Sequence, residues 1–197
     1  MSKKIIITGG LGYIGTELCK LYSGVSWHHK IIIIDNRFIS ERVSQIRNWN
    51  MEFVQGDILD KDLVKKYFVD ADVVHHLAGI TDVPRTKSES LLAQDEKIKE
   101  VGEIGTQNIL DVISDKCKII FPSTHVVYEG IAEVKTNIKE DEKTKPVLSY
   151  SSSKAVNENQ LKRSGKNYII LRLGSVYGFS TDSMRIDIMP NLFSKIA

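Results

Sequence analysis

Short runs of aliphatic residues alternate along this chain with longer segments whose apolar positions recur at helical spacing. Six runs read as strands: Lys4–Thr8, Lys30–Asp35, Met51–Gln55, Val73–Leu77, Lys118–Pro122 and Tyr168–Leu173. Ile, Val and Leu fill consecutive positions in them, the pattern of strands buried on both faces of a parallel sheet. Between them, Tyr13–Ser23, Lys61–Phe68, a long segment from about Ser88 to Ser114, and Ser149–Ser164 predict helices. This alternation predicts an α/β fold with a doubly wound parallel sheet in strand order 3-2-1-4-5-6. Gly130 to Lys145, rich in Lys, Glu, Asp and Thr, has little periodicity and reads as a solvated loop. Such a unit is largely complete by Leu173, so the apolar tail MRIDIMPNLFSKIA predicts the start of another region.

Bulk properties narrow the class without naming an activity. The chain has 197 residues, 42% hydrophobic and 26% charged, with a net charge of +2. That suits one large domain, or one domain and a fragment of another. The charges are interspersed and give no reason to invoke nucleic acid or an acidic membrane. Cys19 and Cys117 show no C-x-x-C or metal-ligand spacing, which predicts two reduced thiols and no metal site. No stretch approaches the ~20 apolar residues of a membrane span, and the run after Lys3 and Lys4 is too short for a signal peptide. A cytoplasmic protein is expected.

The N-terminal sequence KKIIITGGLGYIG changes the picture. A strand enters a turn with Gly9, Gly12 and Gly15 at G-x-x-G-x-x-G spacing, a helix follows, and the next strand ends in Asp35, twenty residues beyond Gly15. Glycines allow a tight turn and close approach to a pyrophosphate, and a helix N-terminus offers free N–H groups and positive dipole. A carboxylate at Asp35 is placed for a ribose 2′-hydroxyl, as in a dinucleotide-binding Rossmann fold.

A second constellation is Tyr150-Ser-Ser-Ser-Lys154, whose ends share a helix face. The pKa of a free Tyr is about 10. A neighbouring ammonium and a nicotinamide cation both favour phenolate and make Tyr150 usable as an acid/base. Strand five ends in Ser123, Thr124 and His125, at the sheet edge where doubly wound folds hold ligands.

Together these residues resemble the extended short-chain dehydrogenase/reductase family, in its NAD-dependent nucleotide-sugar epimerase/dehydratase branch. The resemblance runs through Thr8–Gly15, Asp35-Asn36, Gly56-Asp57-Ile58, His76-Leu-Ala-Gly79, Gly105-Thr106, Ser123-Thr124, Tyr150 with Lys154, and Leu171–Gly178. It implies a pyrophosphate wrapped by Gly9, Gly12, Tyr13, Ile14 and Gly15. Asp35 and Asn36 then hold the adenosine ribose, Asp57 and Ile58 the adenine, and Leu77, Ala78 and Gly79 line the cofactor. It further implies Tyr150 as acid/base, Lys154 as its partner and nicotinamide-ribose ligand, and Thr124 as the hydroxyl that orients substrate. Ser175, Asn191 and Leu192 are placed by it near the sugar nucleotide.

The implied activity is C4 epimerisation of a nucleotide sugar by transient oxidation and re-reduction with NAD, in a homodimer. A dehydrogenase or reductase of the same family, and a non-catalytic NAD-binding scaffold, are the alternatives. Dehydratases of the branch carry Asp-Glu where this chain has His125-Val126, which favours oxidation–reduction without loss of water. Gly102 stands where the family often has Asn, and Ser175 where many epimerases have Asn. Residues 1–175 are expected to form the cofactor domain, and 176–197 to begin a truncated substrate-binding region, since family members continue well past Ala197.

Overall fold

The computed structural model describes residues 2–81, 92–180 and 189–196. Six strands, β1 (Lys4–Thr8), β2 (Lys30–Asp35), β3 (Glu52–Gln55), β4 (Val73–His76), β5 (Lys118–Thr124) and β6 (Asn167–Leu173), form one sheet. Its order is β3-β2-β1-β4-β5-β6, with every pair parallel. Helices α1 (Tyr13–Tyr22), α2 (Ser40–Asn48), α3 (Lys61–Phe68), α4 (Leu92–Lys99), α5 (Gly105–Val112), α6 (Ser149–Arg163) and α7 (Met189–Ile196) complete the described elements. A π-helical stretch, Glu100–Ile104, joins α4 to α5 in one continuous rod.

Burial on two faces explains the Ile runs of β1 and β2, whereas β6 at the sheet edge leaves Tyr168, Ile169 and Leu171 exposed and β3 is only partly buried. Ile6, Ile32, Ile34, Val74, Ile119 and Phe121 pack with Phe68, Ile109 and Leu161 from α3, α5 and α6. The alternate residues Ile5, Ile7, Ile31 and Ile33 pack with Cys19, Val43 and Ile46 from α1 and α2. Cys19 and Cys117 are therefore buried on opposite sides of the sheet, and both are free thiols. Burial pushes the Cys19 thiol up to about 12 and Cys117 up to about 11.

The predicted elements match with shifts of a few residues, and the predicted strand order is the observed one. The predicted long helix begins at 88, and its residues 88–91 lie outside the described residues. Helix α2 is absent from the sequence prediction. Only Arg42, Val43 and Ile46 are buried along its nine residues, and its N-cap is Ile39 without a side-chain cap. It therefore lacks both the apolar stripe and the start signal by which a helix is read. The segment between Gly130 and Lys145 has neither helix nor strand, in line with its reading as a loop. Among the described residues, no helix is long and apolar enough to cross a membrane.

Candidate active site

The C-terminal ends of β1, β2, β4, β5 and β6 open into one cleft of about 810 Å³. On its floor, Gly9 has φ +66°, a left-handed conformation in which a Cβ would stand 2.8 Å from the Ala78 nitrogen. A side chain at Gly15 would meet the Gly9 carbonyl, so the loop can pass this close to α1 only with glycine. Gly12 begins α1 with no side-chain cap and no acidic residue in the first turn. That leaves a helix N-terminus facing the cleft, which suits a phosphate group.

Asp35 holds the loop from the side. Its Oδ2 accepts from Leu11 N–H at 3.0 Å, and its Oδ1 from Arg37 N–H at 3.1 Å. The Arg37 guanidinium pairs with the same oxygen at 3.4 Å. Next along the wall, the Asn36 amide donates to Asp57 at 3.1 Å, and Asn108 donates to the Ile58 carbonyl at 3.1 Å.

On the β4 side, His76 is fully buried and bridges Thr8 Oγ1 and Thr106 Oγ1, both at 3.0 Å. Burial, with the Lys154 charge, drives its pKa down to about 3, so the bridge is a neutral imidazole. Thr8 also accepts from Ala78 N–H at 3.0 Å, which fixes Leu77–Gly79 against the glycine loop.

The three side chains implicated in chemistry line the opposite wall. Thr124 ends β5, and its hydroxyl accepts from Val126 N–H at 3.3 Å, leaving its proton for an oxygen in the cleft. Tyr150 and Lys154 sit one helical turn apart on α6, with the ammonium 5.9 Å from the phenol ring centroid. Lys154 donates to the Pro122 carbonyl at 2.9 Å and lies 4.4 Å over the Phe121 ring. Burial lowers its pKa to about 8.

Thus the glycines and Tyr13, Ile14, Asp35, Asn36, Asp57, Ile58, Leu77, Ala78, Gly79, Thr124, Tyr150, Lys154 and Ser175 all line one cleft. Asn191 and Leu192 do not. Asn191 is buried on α7, where its Oδ1 accepts from Gly178 N–H at 2.9 Å and its amide donates to the Tyr13 hydroxyl at 3.3 Å. Tyr13 donates in turn to the Gly178 carbonyl at 2.6 Å, tying α1 to the segment after β6. His125 is exposed, and its Nδ1 donates to the Leu173 carbonyl at 3.1 Å.

These contacts and dimensions meet the steric and electrostatic needs of a dinucleotide beside an acid/base pair. The family described as NAD-dependent epimerase/dehydratase matches residues 5–197. The chain belongs to that family. A dTDP-D-glucose 4,6-dehydratase of Dictyostelium discoideum is 29% identical over 89% of this chain and 44% of its own length. A CDP-paratose 2-epimerase of Salmonella typhi is 30% identical over 89% of this chain and 58% of its own. A solved UDP-glucuronic acid 4-epimerase variant from Bacillus cereus, bound to UDP-4-deoxy-4-fluoro-glucuronic acid and NAD, superposes with TM-score 0.79 at 27% identity. It is covered to 60% and covers 95% of this chain. The chain therefore spans about half the length of the curated relatives it matches.

Gly102, which departs from the epimerase/dehydratase pattern, packs closely against α6. A side chain there would run into the Ser153 hydroxyl on α6. The π-helical stretch also turns the Gly102 and Glu103 carbonyls toward α6, where Asn157 and Gln160 donate to them at 3.0 Å each.

Two charged residues near the site escaped the sequence reading. Glu158, 2% exposed, accepts from Ser123 at 2.6 Å and from Arg172 at 2.9 and 2.6 Å. Its signal was its place one turn beyond Lys154 on the Tyr150 face. Arg172 betrayed itself as a cation inside an otherwise apolar strand.

Proposed function

We propose that this chain binds NAD and contributes the catalytic side chains of a nucleotide-sugar C4 epimerase. The observation that carries the reading is the convergence of Thr124, Tyr150 and Lys154 on the cleft that contains the glycine loop and Asp35. When bound there, NAD supplies a hydride acceptor that can return the hydride. Tyr150 takes the proton of the sugar 4-hydroxyl and gives it back. Thr124 donates a hydrogen bond to that oxygen, and Lys154 stabilises the phenolate and meets the nicotinamide ribose. Ser175, which lines the cleft, faces the sugar nucleotide, and Asn191 and Leu192 of α7 stand near it, Asn191 bonded to Gly178 in the segment that follows Ser175.

His125 and Val126 favour epimerisation over dehydration. Neither is a carboxylate, and the imidazole Nδ1–H is already engaged with Leu173. We place the cofactor domain at residues 1–175 and the start of the substrate-binding region at 176–197, in a cytoplasmic homodimer. Incubating the protein with NAD and UDP-, dTDP- or GDP-sugars tests the reading. A C4 epimer formed without net NADH supports it, and accumulating NADH identifies a dehydrogenase instead.

Asp35 sets the choice of cofactor, because its charge repels a 2′-phosphate. Asp35→Ala removes charge-assisted hydrogen bonds, which are worth about 1.5–3 kcal/mol each. The expected result is NAD affinity reduced roughly 10- to 100-fold, with the preference over NADP narrowed by Arg37. Calorimetric titration with both cofactors measures this, and an unchanged preference refutes the ribose role.

A further inference from the structure

We propose that Glu129 is the positioning residue that holds Tyr150 in register with Thr124. The inference rests on the roles given above to those two side chains. Their hydroxyls belong to elements separated by the long segment that has neither helix nor strand. Something other than a continuous element must fix one relative to the other.

Thr124 is followed directly by a 3-10 turn, His125–Tyr128, that Glu129 closes by donating its N–H to the Val126 carbonyl at 3.1 Å. Glu129 therefore stands at the far end of one rigid turn from Thr124. Its carboxylate crosses to the beginning of α6, where Oε1 accepts from Val147 N–H and Leu148 N–H, both at 2.7 Å. The same oxygen accepts from the Ser151 hydroxyl. Tyr150 lies between Leu148 and Ser151, so a single oxygen grips the chain on both sides of the phenol.

Two backbone bonds brace this junction. Lys145 N–H donates to the Val127 carbonyl and Gly130 N–H to the Lys145 carbonyl, both at 2.8 Å. The packing there is tight, since a Cβ at Gly130 would stand 2.6 Å from the Lys145 carbonyl oxygen. A carboxylate at a helix N-terminus also complements the dipole.

Lys154 has its own anchor at the Pro122 carbonyl, deeper in the fold. Loss of the Glu129 tether therefore loosens the first turn of α6 that carries Tyr150 while leaving Lys154 in place, and the phenol shifts within the ammonium's field. Loss of the Glu129 charge alone acts in the opposite direction, because a carboxylate near a phenol opposes its ionisation. The two effects have opposite signs, which makes them separable. Other ionisable side chains on the elements around this junction include His125 and Tyr128 on the turn, Lys145 ahead of α6, Arg172 on β6, and Lys97 of α4 in the same cleft as Tyr150. They are unchanged in every variant below.

The experiment is a pH titration of phenolate absorbance in the NAD-saturated protein. The difference between each protein and its Tyr150→Phe counterpart isolates Tyr150. Glu129→Ala is expected to raise the Tyr150 midpoint by about one pH unit. Glu129→Gln keeps an acceptor oxygen and removes the charge, and is expected to leave the midpoint in place or lower it. A folded Glu129→Ala protein whose midpoint stays or falls overturns the proposal. If circular dichroism finds that variant unfolded, Ser151→Ala decides, with a smaller upward shift expected and no shift overturning the idea. No sugar is needed. A protein that turns over no nucleotide sugar, or whose unmodified Tyr150 titrates near the free value of about 10, counts against the parent reading alone.

Discussion

Tyr150→Phe is expected to lower turnover of the sugar nucleotide by about 10²- to 10⁴-fold, the range that a positioned acid/base group contributes. NAD affinity is expected to stay within about threefold, a difference of under ~1 kcal/mol. The separation follows from what the substitution removes. Phe keeps the ring and loses only the hydroxyl, so the packing of the first turn of α6 is retained. Lys154 does not depend on the phenol for its place, because the Pro122 carbonyl and the Phe121 ring hold it. The cofactor contacts proposed for the glycine loop and Asp35 lie on other elements. What disappears is the only group of the three that can take a full proton, since Thr124 is too weak a base and Lys154 carries one already. Single-turnover measurement of epimer formation, alongside calorimetric titration with NAD, checks both halves. Turnover retained within tenfold removes Tyr150 from the mechanism.

That phenol and its partner were legible because Y-x-x-x-K is a local signal, complete within one helical turn. The glycine loop was legible for the same reason, and Asp35 because a strand of fixed length places its last residue. The sheet order followed from the alternation of strands and helices, and burial on both faces from the Ile runs of β1 and β2, whose alternate residues feed two separate cores. What stayed hidden depends on residues distant in sequence. The buried His76 imidazole is neutral because the fold desolvates it and brings Lys154 near, while Thr8 and Thr106 meet it from β1 and α5. The close packing of Gly102 against Ser153 of α6 is likewise invisible in the sequence. Asn191 is a polar residue in an apolar tail, and no spacing rule could have assigned its amide to Gly178 and Tyr13. Helix α2 went unread because its contacts to the core are too few to write a period.

Glu158→Ala is expected to destabilise the fold by about 3–5 kcal/mol, the cost of leaving one partner of a buried ion pair uncompensated. The carboxylate is almost wholly buried and accepts from Arg172 through two nitrogens and from Ser123. Removing it strands the guanidinium at a site where Tyr128 and the Glu140 carbonyl are its other partners. Against a total stability of about 5–15 kcal/mol, that is a large fraction, and urea unfolding reads it as a lower midpoint at constant slope. The sign with pH is fixed by the direction of the shift. Burial pushes the Glu158 carboxyl up, but the bonds from Arg172 and Ser123 outweigh it and leave the pKa lowered. A lowered folded pKa gives stability that is complete above the unfolded value of about 4.3 and is lost as pH falls through the folded one. The gap between the unmodified protein and Glu158→Gln is therefore constant near neutrality and closes in acid. A gap that persists unchanged through pH 3 to 4 assigns the effect to packing instead. Because Ser123 neighbours Thr124 on β5, and Glu158 continues the Tyr150–Lys154 face of α6, this cluster also joins the two elements that carry Thr124, Tyr150 and Lys154. Activity in Glu158→Gln should accordingly fall through kcat while NAD affinity holds.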